Sequence, residues 1–326
     1  MKTGIRRALA PVVAAIAMLV APMAGAAEYP AKPIRIVTPY PPGGGVDNVA
    51  RIYAPRLAQA LGQQVVIDPR QGASGIIGAE TVARSAPDGY TLLHDATAHS
   101  VNPSLRKLPY DTLRDFTPIT LLVVNPNLLL VHPSLPVKTI RDLIALAKAR
   151  PAQITFGSSG IGSAQHMAGE LFKYMAKVDL VHVPYKGGSA AYADLTGGHI
   201  QAYFGNMASS LPHAKGGKLR GIAVTSAKRS ASAPEFPTFA ESGVPGYEVY
   251  EWNGLFGPAG LPKDVVARIN TELGKVLNAA DVRERLFALG AEPAPGTPER
   301  HGEYVRAEVA KWQKVISAMG IKPASD

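Results

Sequence analysis

At 326 residues, 46% of them hydrophobic, the chain is long enough to bury a full core and to hold one large domain or two medium ones. It contains no cysteine, so no disulfide contributes to its stability. Its formal charge of +9 is spread along the chain instead of forming a basic block interleaved with aromatics, which argues against a nucleic-acid partner.

The first segment, "MKTGIRRALAPVVAAIAMLVAPMAGAA", opens on Lys2, Arg6 and Arg7, runs through an apolar stretch and ends in small residues. That three-part pattern is a secretory signal peptide over residues 1–26, with cleavage after Ala26 or Ala27 and a periplasmic destination. Pro11 and Pro22 interrupt the apolar stretch, and no later run is apolar for long enough to span a bilayer. With the leader, three of the nine excess charges leave; the mild positive field that remains favours small anions arriving by diffusion.

Beyond the leader, strand-length apolar runs alternate with helical patterns. "IRIVTPY" (34–40) reads as a strand, "DNVARIYAPRLAQALG" (47–62) as a helix closed by Gly62, and "QQVVIDPR" (63–70) as the next strand. "GIIGAETVARSAP" follows as a helix and "YTLLHDA" as a strand. Such alternation builds parallel crossover units with helices on the sheet faces.

At 119–131 the pattern changes to "ITLLVVNPNLLLV", an apolar run broken by "NPN". A second strand–helix series starts at "ITFGSSG" (154–160) and runs to "LRGIAVTS", as though a second α/β unit were inserted into the first. The proline-rich stretch 232–262 reads as the return path, and two helical segments, the first with a break near Asn278, finish the chain. The expected organisation is 27–124 as the first part of lobe 1, 125–245 as lobe 2, and 246–326 as the return crossing and C-terminal helices, mainly completing lobe 1. Two α/β lobes joined by more than one crossing imply a cleft between them.

In open α/β sheets ligands sit beyond the carboxyl ends of strands, so the loops there are the candidates. "PYPPGGGVD" can aim backbone N–H groups and a helix N-terminus at a ligand, with Asp47 placed to cap that helix and Gly43 and Gly44 serving the backbone. "PRQGASGIIGAE" (69–80) and "HDATAHSVNPS" (94–104) are the next two loops, and "GSSGIGSAQHMAGE" (157–170) repeats the design in the second lobe with hydroxyls added. One glycine-rich turn is ordinarily structural; such turns in both lobes form an anion trap.

Enzyme signatures fail on their own terms. There is no phosphate-binding Gly-x4-Gly-Lys-Ser/Thr run, Gln165 stands where a dinucleotide fingerprint needs its third glycine, and Ile161 replaces the last glycine of a hydrolase elbow. His94, Asp95 and His99 match no standard metal spacing, so neither metal nor cofactor is expected.

Taken together, "PYPPGGGVD", "NPSL", "FGSSGIGSAQHMAGELF" and "VPYKGGSAAYADLTGGHIQAYF" make the mature chain resemble the periplasmic solute-binding receptors of the tripartite tricarboxylate transporter class, the Bug-type receptors. The resemblance implies a two-lobe, type II periplasmic-binding-protein clamshell closing over a small mono- or dicarboxylate, with delivery to the membrane components of a transporter and no catalysis. Carried onto this chain, it assigns ligand contact to Tyr40, Pro41, Gly43, Gly44, Asp47, Ala73, Ser74 and Thr97 in the first lobe. In the second it assigns Ser158, Gly160, Ser163, His166, Tyr185, Lys186 and Gly187. His94 and Asp95 depart from the family's usual small-polar loop and are expected to alter one wall of the pocket. Asp194 and Trp252 are expected to keep the fold. A monomer is expected; the alternatives are a ligand sensor for a membrane kinase or a cleft enzyme acting on a carboxylate or acyl substrate.

Overall fold

The computed structural model describes residues 29–185 and 187–321. The expected signal peptide lies outside the described residues.

Alternation in the sequence becomes alternation in space. β1 (Ile34–Thr38) leads into α1 (Gly45–Leu61), which ends at Gly62 in the left-handed conformation, φ 69°. β2 (Val65–Pro69), α2 (Ile76–Ala83), β3 (Thr91–Ala96) and α3 (Ala98–Leu105) complete the first series. β1 pairs in parallel with both β2 and β3, the arrangement that helical crossovers demand.

β4 (Phe116–Val131) is one uninterrupted strand of 16 residues, although "NPN" suggested a break. The reason lies in its partners. Residues 116–126 pair with β9 (Tyr250–Pro258), whereas 127–131 pair with β7 (Ala202–Asn206), so Pro126 stands at the handover between ladders, where a missing N–H costs least. β9 itself lies inside the stretch read as a return path. Its nine residues pair with β3 and β4 at the middle of the sheet, because the run from Trp252 to Pro258 is buried on both faces.

The second lobe contains α4 (Ile140–Ala149), started by a capping box between Thr139 and Asp142, then β5 (Thr155–Ser158), α5 (Ala164–Ala176), β6 (Val181–Pro184) and α6 (Gly188–Thr196). α7 (Met207–Lys215) and β8 (Arg220–Val224) follow β7. The chain returns through β9 to α8 (Lys263–Asn278), α9 (Ala280–Ala288), the short β10 (Glu292–Pro293) and α10 (Pro298–Ala318). Ala279, extended at ψ 138°, makes the break expected near Asn278.

One mixed sheet runs β2-β1-β3-β9-β4-β7-β5-β6 through both lobes, with β8 and β10 attached to β4. Its flanks are parallel, and the middle strands β4 and β9 run antiparallel to their neighbours. In the first lobe Ile36, Leu57, Leu122 and Ile269 form one face of the core, and Val37, Val82, Phe256 and Trp252 form the other. In the second lobe Leu129, Phe156, Phe172 and Phe204 pack with α4 and α5. α10 serves both lobes: Val305 packs in the first, while Trp312, Val315 and Ile316 pack in the second. Its apolar stripe is long enough to pack against both.

Candidate functional site

α1 begins at Gly45, with Gly44 as its N-cap, so Asp47 is the third helical residue and not the cap. Its carboxylate reaches back to accept the Gly43 N–H at 2.9 Å and also accepts from Arg51 Nε at 2.7 Å. The Arg51 bond, followed by that of Gly43, holds the acid below the ordinary carboxylate range although burial opposes it. Gly43 has φ 78° and open space where a Cβ would stand; Gly44 has φ −74°, and a Cβ there would meet Pro41 O at 3.1 Å. The first glycine therefore serves a backbone angle and the second a close approach.

Tyr40, at the end of β1, donates to Asp95 Oδ1 at 2.8 Å. Burial, reinforced by the Asp95 carboxylate, keeps the phenol protonated. Asp95 Oδ2 meets His99 Nδ1 at 3.0 Å, and His94 lies between Tyr53 and Asn253. His94 and Asp95 are thus buried in the sheet, where Asp95 anchors Tyr40, and neither is among the residues lining the two cavities described below. Asp95 therefore acts on the pocket wall only indirectly, by fixing Tyr40, which lines the first cavity described below.

Ala73 and Ser74 both adopt left-handed backbone conformations, φ 48° and 56°, which non-glycine residues rarely occupy. They are held there from α3 and the residue after it. Asn102 Nδ2 donates to Ser74 O at 3.0 Å, and Arg106 Nη2 donates to Ser74 Oγ at 3.2 Å. Thr97 Oγ1 accepts the Trp252 backbone N–H at 3.1 Å, which ties the third loop to β9. Trp252 itself is buried against Phe256, His301 and Tyr304.

In the second lobe Ser163 caps α5, its Oγ accepting the His166 N–H at 3.2 Å. The loop before it is held from behind. Ser158 Oγ accepts the Gly160 N–H at 3.1 Å and bonds His182 Nε2 at 2.7 Å; His166 Nδ1 accepts the Gly162 N–H at 3.2 Å and stacks on His182 at 4.0 Å. Burial pushes His166 down to about 3 and His182 down to about 4, so both remain neutral and can accept. Asp194 accepts from Tyr185 OH at 2.7 Å and so fixes the Tyr185 ring.

These loops enclose a cavity of about 550 Å³ lined from both lobes. Of the fifteen residues expected at the site, Tyr40, Ser74, Thr97, Gly160, Ser163 and Tyr185 line it. Gly43 lines a second cavity of about 850 Å³. Pro41, Gly44, Asp47, Ala73, Ser158, His166 and Gly187 line neither; Asp47, Ser158 and His166 stand behind the walls and hold them. Lys186 lies outside the described residues.

The N-termini of α1, α3 and α5 meet at the first cavity, through Gly45 and Val46, Thr97 and Ala98, and Ser163 to Gln165. Arg106 adds a guanidinium to the same lining. Partial positive charge from three helix ends and a full charge from Arg106 make the space receptive to an anion. Arg106, Gln165 and Glu251 are the lining residues with charged or amide side chains that sequence reasoning missed. Glu251 had one signal: it precedes Trp252 on a strand, so the period of two sends the two side chains to opposite faces.

The two-lobe α/β fold with an interlobe cavity defines the architecture of a periplasmic binding protein. A profile described as "Tripartite tricarboxylate transporter family receptor" matches residues 49–321. Protein BugT of Bordetella pertussis (strain Tohama I) is 35% identical over 311 residues, covering 94% of this chain and 95% of its own. The structure of R. palustris Rpa4515 with adipate aligns with a TM-score of 0.81 at 38% identity, covering 91% of this chain and 100% of that one. MatC from Rhodopseudomonas palustris with bound malate aligns with a TM-score of 0.76 at 32% identity, covering 88% and 100%. The chain belongs to the tripartite tricarboxylate transporter receptor family, a family of solute-binding receptors.

Proposed function

We propose that the protein is a periplasmic receptor that binds a small organic acid, a mono- or dicarboxylate, in the 550 Å³ interlobe cavity and delivers it to the membrane components of a tripartite transporter. The observation that carries this reading is the meeting of three helix N-termini and Arg106 at one cavity. Relatives with adipate and malate bound support the same class of ligand. In this reading Tyr40, Ser74, Thr97, Gly160, Ser163 and Tyr185 contact the ligand, together with Arg106. Closure over the ligand and action as a monomer belong to the same proposal.

A thermal-shift screen of mono- and dicarboxylates, amino acids and neutral sugars tests it. A ligand at a hundred times its Kd stabilises the folded state by about 2.7 kcal/mol, which such a screen resolves. Stabilisation by acids that persists in moderate salt is expected, since closure buries the charge. Hits confined to neutral sugars would overturn the reading.

A further inference from the structure

The cavity assigned to an anion also carries a carboxylate of its own. Glu251, on β9, lines both the 550 Å³ cavity and the 850 Å³ cavity beyond it. Its Oε2 accepts from Gln165 Nε2 at 3.1 Å and from Asn206 Nδ2 at 3.4 Å, which fixes the group in place. Its Oε1 accepts no hydrogen bond from the described residues and lies 3.6 Å from where a Cβ of Gly45 would stand, at the start of α1. No Lys or Arg among the described residues pairs with it. Burial raises its carboxyl above the ordinary range, as befits an acid whose partners are neutral amides.

Arg106 has the complementary shortage. Its Nη2 is taken by Ser74 Oγ, its Nε is buried without a protein partner among the described residues, and no carboxylate among them pairs with it. The lining therefore offers one unneutralised cation and one unneutralised anion, on different elements. A ligand with a carboxylate at each end satisfies the first and opposes the second. A ligand with a carboxylate at one end and a hydrogen-bond donor at the other satisfies both.

Resting on the carboxylate reading above, we infer that the preferred ligand is a bipolar monocarboxylate: its acid group faces Arg106, and a hydroxyl or ammonium group elsewhere on it donates to Glu251 Oε1 beside the start of α1. Glu251 then acts as the specificity-determining residue. It opposes a second anionic group beside it, and Gln165 and Asn206 hold it in that position.

The test is a calorimetric comparison within matched series: butanoate, 4-hydroxybutanoate, 4-aminobutanoate and succinate, and the six-carbon equivalents ending in adipate. For at least one chain length the hydroxy or amino acid should bind wild-type protein about tenfold or more tightly than the dicarboxylate. Glu251→Gln, close in shape and able to keep an amide oxygen toward Gln165 and Asn206, should shrink or invert that ratio. Arg106→Gln should weaken every acid. Wild-type preference for the dicarboxylate at both lengths would overturn the inference without any variant, and so would a ratio unchanged in a folded Glu251→Gln protein. In those cases acids still bind and the carboxylate reading stands. If no acid of either series binds wild-type protein, this inference is overturned, and the carboxylate reading is decided separately by the wider thermal-shift screen.

Discussion

Asp47 shows how a single carboxylate can set a loop. A glycine N-cap has no side chain to accept from the helix end, so the third helical residue reaches back and takes the Gly43 N–H instead. Asp47→Ala leaves that donor without its acceptor and removes the Arg51 pair, at a cost of about 0.5–2 kcal/mol. Melting temperature and ligand affinity should fall together, because the same carboxylate positions Gly43 and the first turn of α1. Gly43→Ala should behave differently. Nothing lies within 4 Å of the added Cβ, so the loss of about 1–2 kcal/mol, read from denaturant unfolding, reflects the left-handed angle alone. Equal stability of Gly43→Ala and wild type would refute this account of the turn. That Asp47 serves the helix start was legible in "GGGVD"; its exact place was not, because helix entry depends on the backbone angles of three successive glycines.

At the scale of an element, the β5–α5 loop depends on two neutral histidines behind it. In the unfolded chain both titrate near 6.5, whereas in the fold His166 is held to about 3 and His182 to about 4. Below pH 6.5 the unfolded state therefore binds protons that the folded state refuses, so stability is fully present above about 6.5 and declines as the pH falls toward 4. Each such histidine contributes a slope of up to about 1.4 kcal/mol per pH unit within that window. His94, lowered to about 4, and His301, lowered to about 3, act in the same direction, each chiefly through burial. Melting temperature should fall steadily from pH 7 to 4.5, and His182→Gln should flatten the slope; a flat wild-type profile would contradict the assignment. From sequence His166 looked like a residue facing the ligand. The fold turns it to the rear of the loop, since the cap Ser163 sets the helix phase and His166 falls on its buried side.

Across the whole molecule, β4, β9 and α10 connect the lobes. Trp312 lies near the end of α10, fully buried in the second core, with its indole N–H donating to Glu308 at 2.9 Å. Trp312→Ala should cost about 3–5 kcal/mol, measured by chemical denaturation, and should loosen the second lobe although the residue is far along the chain from it. Ligand contact with both lobes should favour a closed form by rotation about these crossings, so small-angle scattering should report a smaller radius of gyration at saturating ligand. An unchanged radius would point to a rigid cleft.

Local pattern sufficed for the alternating elements, the Gly62 stop, the break at Asn278 and the loops that carry the glycines, because those depend on periodicity and on turn chemistry within a few residues. The resemblance of four short motifs was enough to indicate the family. Tertiary structure alone decided that "NPN" lies within a continuous strand, because whether a proline is tolerated depends on which strand stands beside it. It also decided the pairing of Arg106 with Ser74 and of Glu251 with Gln165 and Asn206, contacts that join residues from 32 to 86 positions apart. Charges so distant in the chain share one cavity only because the sheet brings the ends of three helices to the same place, and no local signal encodes that convergence.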